Sequence, residues 1–355
     1  MQFLTGCGLI SVMGLSLAAV HLDDFHTSSL GIGEHGNSSA APKPSALRFI
    51  ALGDVNLGRA TGQKVLGGDT LYPFALVRDS LLAYDLVFAN LECQLSDQHG
   101  ETQNPKNNLI FTGPPAGALS LKRGGVGVVS TANNHALDYG IRALKETLQF
   151  LDAADVRHIG TSTDRSSLYV PLVLSSNGIR IAFLACSEVM NIEDPMWKNY
   201  VAEADTSRLL PRIRVIRDSV DFIVVSYHGG EEYADRPTVR TKEFARQLIA
   251  GGADLFLGHH PHVPYGVEDV NGKYIIHSLG NFAFRQPDRF WTQHSYAFAA
   301  TIIKDQAGTR VSSFQCIPVR AGFQPEFVKD ENEADVILER IRALSSQSLA
   351  IQASR

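Results

Sequence analysis

Apolar run after apolar run in this 355-residue chain ends on a side chain able to bind a metal ion. IAL (50–52) leads to Gly53-Asp54, VFA (87–89) to Asn90-Leu91-Glu92, and VVSTA (128–132) to Asn133-Asn134-His135. IVVSY (223–227) leads to His228, LFLG (255–258) to His259-His260-Pro261-His262, and IIHSLG (275–280) to Asn281. Asp and Glu offer anionic oxygen, His a neutral imidazole nitrogen and Asn an amide oxygen. A mixed nitrogen and oxygen set without thiolates suits Mn, Fe or Zn and does not choose among them. A carboxylate can also bridge two cations about 3.5–4 Å apart, the spacing that activates water and steadies a phosphoryl oxyanion. His260 and His262 are two apart, so on an extended segment they share a face, and Pro261 between them fixes its own φ.

Each residue alone has a plainer reading. Asp54 after a strand is a turn former or helix cap, Asn134 a loop residue, and His228 a hydrogen-bonded core histidine. The His cluster is harder to dismiss, because only 12 of 355 residues are histidine yet three fall within four positions. The coincidence of so many strand ends carries the argument for a site.

The positioning elements follow from periodicity. Strands are expected at 47–52, 85–89, 126–130, 179–185, 221–226, 254–257, 274–279 and 296–303, each short and rich in β-branched or aromatic residues. Helices are expected at 140–152, where Ile141, Leu144, Leu148 and Leu151 recur at helical spacing, at 241–250 and at 333–345. Gly251-Gly252 closes the second of these. Strands alternating with helices predict a layered α/β domain, in which sites gather beyond the carboxyl ends of the strands. From 273 to 319 the strands lack intervening helices, which predicts an antiparallel part of the sheet. Segment 187–210 shows no readable pattern; Met196 and Trp197 within it read as a packed loop or as the lining of a groove.

The formal net charge of -5 argues against a nucleic-acid partner. Four scattered cysteines (Cys7, Cys93, Cys186 and Cys316) exclude a disulfide framework and a thiolate zinc ribbon, and Cys93 and Cys186 read as buried free thiols. Residues 1–20 carry no charge and include an apolar run from Leu9 to Val20, a length that suits a signal-peptide core better than a membrane-anchor segment. Leu4-Thr5-Gly6-Cys7 resembles a lipobox, and Ser16-Leu17-Ala18 offers a cleavage site. Residues 21–46, rich in Ser, Gly, Ala, His and Pro, read as a flexible tether. The chain thus divides into an export segment (1–20), a linker (21–46), one domain (47–325) and a C-terminal helical tail (326–355).

The ordered motifs ALGDVNLGR (51–59), FANLEC (88–93), ANNHALDYG (132–140), YHGGEEY (227–233), LGHHPHV (257–263) and HSLGNFAF (277–284) resemble those of the CapA family. That family comprises the bacterial poly-γ-glutamate capsule synthesis proteins, related to calcineurin-like metallophosphoesterases. The resemblance spans roughly residues 47–285 and includes Tyr72-Pro73-Phe74. It implies a four-layer αββα sandwich with mixed sheets and a site for two divalent metal ions, Mn, Fe or Zn. Asp54, Glu92 and His262 would serve one ion; Glu92 as bridge, Asn134, His228 and His260 would serve the other. His135 matches the histidine that contacts the scissile group as acid or charge stabiliser, and Arg59 and Asn281 are candidates for holding an anionic substrate or, equally, for a structural role. Two departures from the phosphoesterase pattern stand out. Asn56 occupies the place of a ligand histidine, weakening the first metal site, and Glu92 replaces a bridging Asp. Within the CapA pattern, Trp is usual where this chain has Gly229, a loss expected to loosen the rim of the site.

Three functions follow from this reading. The first is an extracytoplasmic, membrane-anchored or secreted factor of poly-γ-glutamate synthesis or export, working with an anionic polymer and a membrane-bound synthesis complex. The second is a metal-dependent phosphoester hydrolase with a substrate unrelated to capsule. The third is a non-catalytic module that binds an anionic polymer.

Overall fold

The structure is a computed structural model that describes residues 45–347, 349 and 351. The export segment, Cys7 and all but the last two residues of the 21–46 tether lie outside the described residues.

Two mixed sheets form face to face because their strands alternate between two apolar surfaces. The seven-stranded sheet runs in the order Glu326–Phe327, Gly308–Arg320, His294–Asp305, Ser45–Val55, Leu86–Leu91, Val128–Ser130, Arg157–Ile159. The four strands from Ser45–Val55 onward are parallel; the first three are antiparallel. The six-stranded sheet runs Val267–Val270, Lys273–Ile276, Leu255–His259, Phe222–His228, Ile179–Ser187, Leu172–Ser176, with a parallel centre and antiparallel edges. A small third sheet joins Gln94–Leu95, Asn107–Gly113 and Gln103–Asn104.

Phe49, Ala51 and Phe88 face inward from the first sheet and meet Ile181, Phe183, Val224 and Leu257 of the second. At the centre Phe88 and Phe183 stack, with centroids 5.9 Å apart. The alternate residues Ile50, Leu52, Val87 and Ala89 face outward against Leu121 and Leu151 of the helices Gly117–Arg123 and Gly140–Ala153. On the far side Ile223, Val225 and Phe256 meet Leu209, Ile213, Ala245 and Leu248 of the helices Thr206–Arg217 and Val239–Ala250. This makes the expected helix, sheet, sheet, helix layering.

The strands reach further than their apolar letters suggest. Ser45–Val55 carries Asp54 inside it, and His228 and His259 are the last residues of their strands, paired with one another. The antiparallel hairpin His294–Asp305/Gly308–Arg320 meets the expectation for 273–319. In the helix Gly140–Ala153, Leu144 and Leu151 of the expected stripe are buried together with Ala143 and Thr147, while Ile141 is exposed. Thr147 is turned in because its hydroxyl bonds both the backbone N–H and the carbonyl of Leu95. The described part of the C-terminal segment packs on the body: Glu326–Phe327 is an edge strand, and Ile337, Leu338 and Ile341 of the helix Glu331–Leu344 enter the inter-sheet core. Trp197 is buried in that same core, while Met196 is exposed.

The segment after Lys273–Ile276 stitches the two sheets together at their carboxyl ends. Leu279 N–H donates to Gly258 O (3.1 Å), Asp54 N–H to Gly280 O (2.9 Å) and Phe282 N–H to Asp54 O (2.8 Å). Only glycine allows such an approach at position 53, where a Cβ would sit 1.9 Å from the Gly280 carbonyl oxygen. Gly53→Ala is therefore expected to lower stability by about 1–3 kcal/mol, as overpacking does, read as a fall in thermal midpoint. A wild-type midpoint would contradict the stitch.

Candidate metal centre

The carboxyl ends of five strands converge on the Glu92 carboxylate, which follows directly after Leu86–Leu91 and is fully buried. Its Oε1 has no hydrogen-bond partner, and three imidazole Nε2 atoms surround it: His262 at 3.6 Å, His228 at 3.9 Å and His135 at 4.0 Å. Asp54 lies alongside, its Oδ2 3.2 Å from His262 Nδ1 and its Oδ1 3.3 Å from His259 Nδ1. The Asn134 amide oxygen is 2.8 Å from His228 Nε2, and the His260 ring centroid lies 4.8 Å from that of His228. The sequence-derived set Asp54, Glu92, Asn134, His228, His260 and His262 thus meets in one place. His260 and His262 both take positive φ (95° and 59°), conformations that side-chain-bearing residues rarely adopt and that tend to collect at functional sites.

Two fully buried triads emerge, Asp54–Glu92–His262 and Glu92–His228–His260, each with ligand atoms within 4.8 Å of one another. They share Glu92. Asp54 Oδ2, Glu92 Oε1 and His260 Nδ1 are buried polar atoms without a well-formed hydrogen bond in the protein. Leaving such groups unsatisfied is costly, and two carboxylates this deep require positive charge. Divalent cations fit that need, and the donor set is the one they prefer.

The electrostatics of the protein alone favour the same reading. Burial, then the charge of Asp54, pushes the Glu92 carboxyl well above its ordinary range. Burial also acts to raise Asp54, but its contacts to His259 and His262 prevail and hold it well below. Burial, then neighbouring His260, holds the His228 ring well below its usual value; burial, then His262, pushes His260 down to about 3. Both rings are therefore neutral and carry the lone pair that ligation requires. Metal uptake must displace the Glu92 proton, so affinity for Mn²⁺ or Zn²⁺ should rise by about tenfold per pH unit below the raised Glu92 value. Calorimetry in buffers of different ionisation enthalpy reads the released proton; a pH-independent affinity would contradict this.

Several neighbours were not singled out in the sequence. Asn90 donates to Asp54 Oδ1 (2.9 Å), and Asn133 donates to the Leu91 carbonyl (2.8 Å). Asp138 Oδ2 lies 2.8 Å from His135 Nδ1, leaving Nε2 turned toward Glu92; its i+3 spacing from His135 was the available signal. Asn191, from the unreadable segment 187–210, bonds Asn134. Glu232, exposed at the rim, offers an oxygen within 4.8 Å of ring nitrogens of His260 and His262.

Other expectations are refined. Asn281, read as a substrate contact, is fully buried with its amide committed: Oδ1 lies 2.9 Å from His262 Nδ1, and Nδ2 donates to Gln286 and Thr292. These contacts suit the structural alternative, an amide that orients His262. Asn56 turns into its own loop, its Oδ1 accepting from Gly58 N–H. The space beside Gly229 is not an opening: a Cβ there would meet the Tyr227 hydroxyl at 2.6 Å and Glu188 Cβ at 2.7 Å. Arg59 is half-buried, its guanidinium 4.6 Å from the Phe111 centroid. Cys93, Cys186 and Cys316 are buried free thiols.

The family model described as bacterial capsule synthesis protein PGA_cap matches residues 48–286, which contain every residue of this centre. The chain belongs to that family. Among its PGA_cap relatives, the PGA biosynthesis protein CapA of Bacillus subtilis (strain 168) is 32% identical over 249 residues, covering 68% of this chain and 63% of that protein. The capsule biosynthesis protein CapA of Bacillus anthracis is 29% identical over 254 residues, covering 70% and 61%. The chain thus spans less than two thirds of the length of either relative. The calcineurin-like phosphoesterase YfkN from Bacillus subtilis is a similar solved structure, with a TM-score of 0.46, 12% identity, and coverage of 84% of this chain and 97% of that one. Among the described residues no helix is long and apolar enough to cross a membrane.

Proposed function

We propose that this chain serves the synthesis or export of a poly-γ-glutamate capsule-type polymer at the cell envelope, through a centre for two divalent ions of phosphoesterase type. The observation that carries the reading is the pair of buried triads sharing Glu92, in a chain of the PGA_cap family. Asp54 and His262 would hold one ion, Asn134, His228 and His260 the other, and Glu92 would bridge them. The ions when bound would supply Lewis-acid stabilisation of an oxyanion and an activated water. Asp138 fixes the His135 ring through Nδ1, so that Nε2 is free to hold or give a proton to a departing oxygen. Phe111, with its ring 4.2 Å from that of His135, shields the imidazole from solvent. Asn90 and Asn281 keep Asp54 and His262 in place.

The His135–Asp138 pair also favours a second reading, hydrolysis of a phosphoester unrelated to capsule, because guiding a polymer does not require an oriented acid/base. The test compares surface γ-glutamyl polymer in cells carrying the wild-type gene, a deletion, or His228→Ala. Loss of polymer in the last two strains is expected. Unchanged polymer together with phosphodiester cleavage by the purified chain would replace the first reading with the second. Polymer loss in the deletion alone, with His228→Ala fully active, would leave a non-catalytic polymer-binding module.

A further inference from the structure

Beside the metal centre lies a cleft of about 380 Å³ whose lining includes Arg59, Tyr233, Arg285, Gln286 and Arg289. Its one acidic member is Asp288, so positive charge predominates. Unlike Arg240, Arg246 and Arg340, none of these three arginines forms an ion pair among the described residues. Each guanidinium lies instead against an aromatic ring. Arg59 sits 4.6 Å from the Phe111 centroid, Arg289 4.7 Å from Tyr233 and Arg285 5.3 Å from Phe323. Stacking restrains a planar guanidinium without consuming its N–H edges, the arrangement suited to bidentate capture of a carboxylate or phosphate; Arg59 Nη2 already donates to the Asn108 carbonyl (2.9 Å), so Arg285 and Arg289 offer the freer edges. The buried Nε of Arg59 has no partner.

The cleft is coupled to the centre on two sides. Phe111 is shared between Arg59 and His135, with ring centroids of Phe111 and His135 4.2 Å apart. On the other side the Tyr233 hydroxyl accepts from Gln286 (3.2 Å), Gln286 accepts from Asn281 (2.9 Å), and the Asn281 oxygen meets His262 Nδ1. The Tyr233 ring itself stands 6.0 Å from that of His262.

We infer that this cleft is an oxyanion-binding subsite, in which Arg59, Arg285 and Arg289 seat a carboxylate or phosphate of the substrate next to the group presented to His135. The inference rests on the proposed function only in taking the metal centre as the reacting end. Arg285 and Arg289 are exposed and their replacement leaves the core intact, so they are the residues to change.

The experiment titrates the metal-loaded full chain with a γ-linked glutamate hexamer and, separately, with inorganic phosphate, using wild type and the Arg285→Gln/Arg289→Gln double variant. Metal content and thermal midpoint are measured alongside. Expected is at least a tenfold loss of affinity for an oxyanion ligand in the double variant, with metal content unchanged and with the wild-type affinity falling as salt rises. If the hexamer shows this loss, the source is the pendant carboxylates of a polymer. If phosphate shows it and the hexamer does not bind, the subsite stands and the capsule reading falls. Equal affinities in wild type and variant, or no binding of either ligand to wild type, overturn the inference.

Discussion

Glu92→Gln should fold like the wild type yet lose its metal. In the metal-free protein burial and the neighbouring Asp54 charge push the Glu92 carboxyl toward its neutral form, and glutamine has nearly the shape and polarity of that neutral acid. The packing around it should not change. A neutral amide oxygen, however, cannot bridge two cations, and both triads lose their common member. Replacing an outer partner of a metal ligand typically costs 10–100-fold in affinity; replacing the bridge itself should cost at least about 100-fold. Binding stabilises the native state by about 2.7 kcal/mol at a ligand concentration 100 times the Kd. Differential scanning calorimetry with and without Mn²⁺ should therefore show an upward shift for wild type and none for Glu92→Gln. An equal shift in both proteins would remove Glu92 from the centre.

His135→Ala should do the reverse, keeping metal while losing chemistry. His135 Nε2 stands 4.0 Å from Glu92 Oε1, and its Nδ1 is taken up by Asp138, the geometry of a group that meets substrate. Removing a positioned acid/base typically costs 10²–10⁴-fold, and that is the expected fall in kcat on a chromogenic phosphodiester. Asp138→Asn, which leaves the imidazole in place but frees its orientation, should show a smaller fall in kcat. Retained turnover in His135→Ala would assign proton transfer elsewhere.

Much of this centre was legible because strand ends are legible. The apolar runs before Asp54, Glu92, Asn134, His228 and His260 point to the carboxyl end of each strand, and a layered sheet brings those ends together. The alternation of strands and helices predicts a layered α/β domain, and the four-layer αββα arrangement is what the motif resemblance implies. What the sequence concealed is polar and non-local. Asn90 reads as strand, being flanked by Ala89 and Leu91, and only the neighbouring strand shows that its amide meets Asp54. Asn191 belongs to a segment without periodicity, so nothing local tied it to Asn134. The helix Thr206–Arg217 buries only Leu209 and Ile213 and contains Pro211, which obscured its stripe. The strands Gln94–Leu95 and Gln103–Asn104 are two residues long, too short for any period to register. For Asn281 the motif position left a substrate contact and a structural role open, and only the fold shows that its amide oxygen meets His262 Nδ1.

Anomalous diffraction from crystals grown with Mn²⁺ would locate the ions directly. Two peaks are expected, each within about 2.5 Å of a Glu92 oxygen, one contacted by Asp54 and His262 and the other by Asn134, His228 and His260. A crystal saturated with Mn²⁺ that shows no peak beside Glu92 would contradict the account.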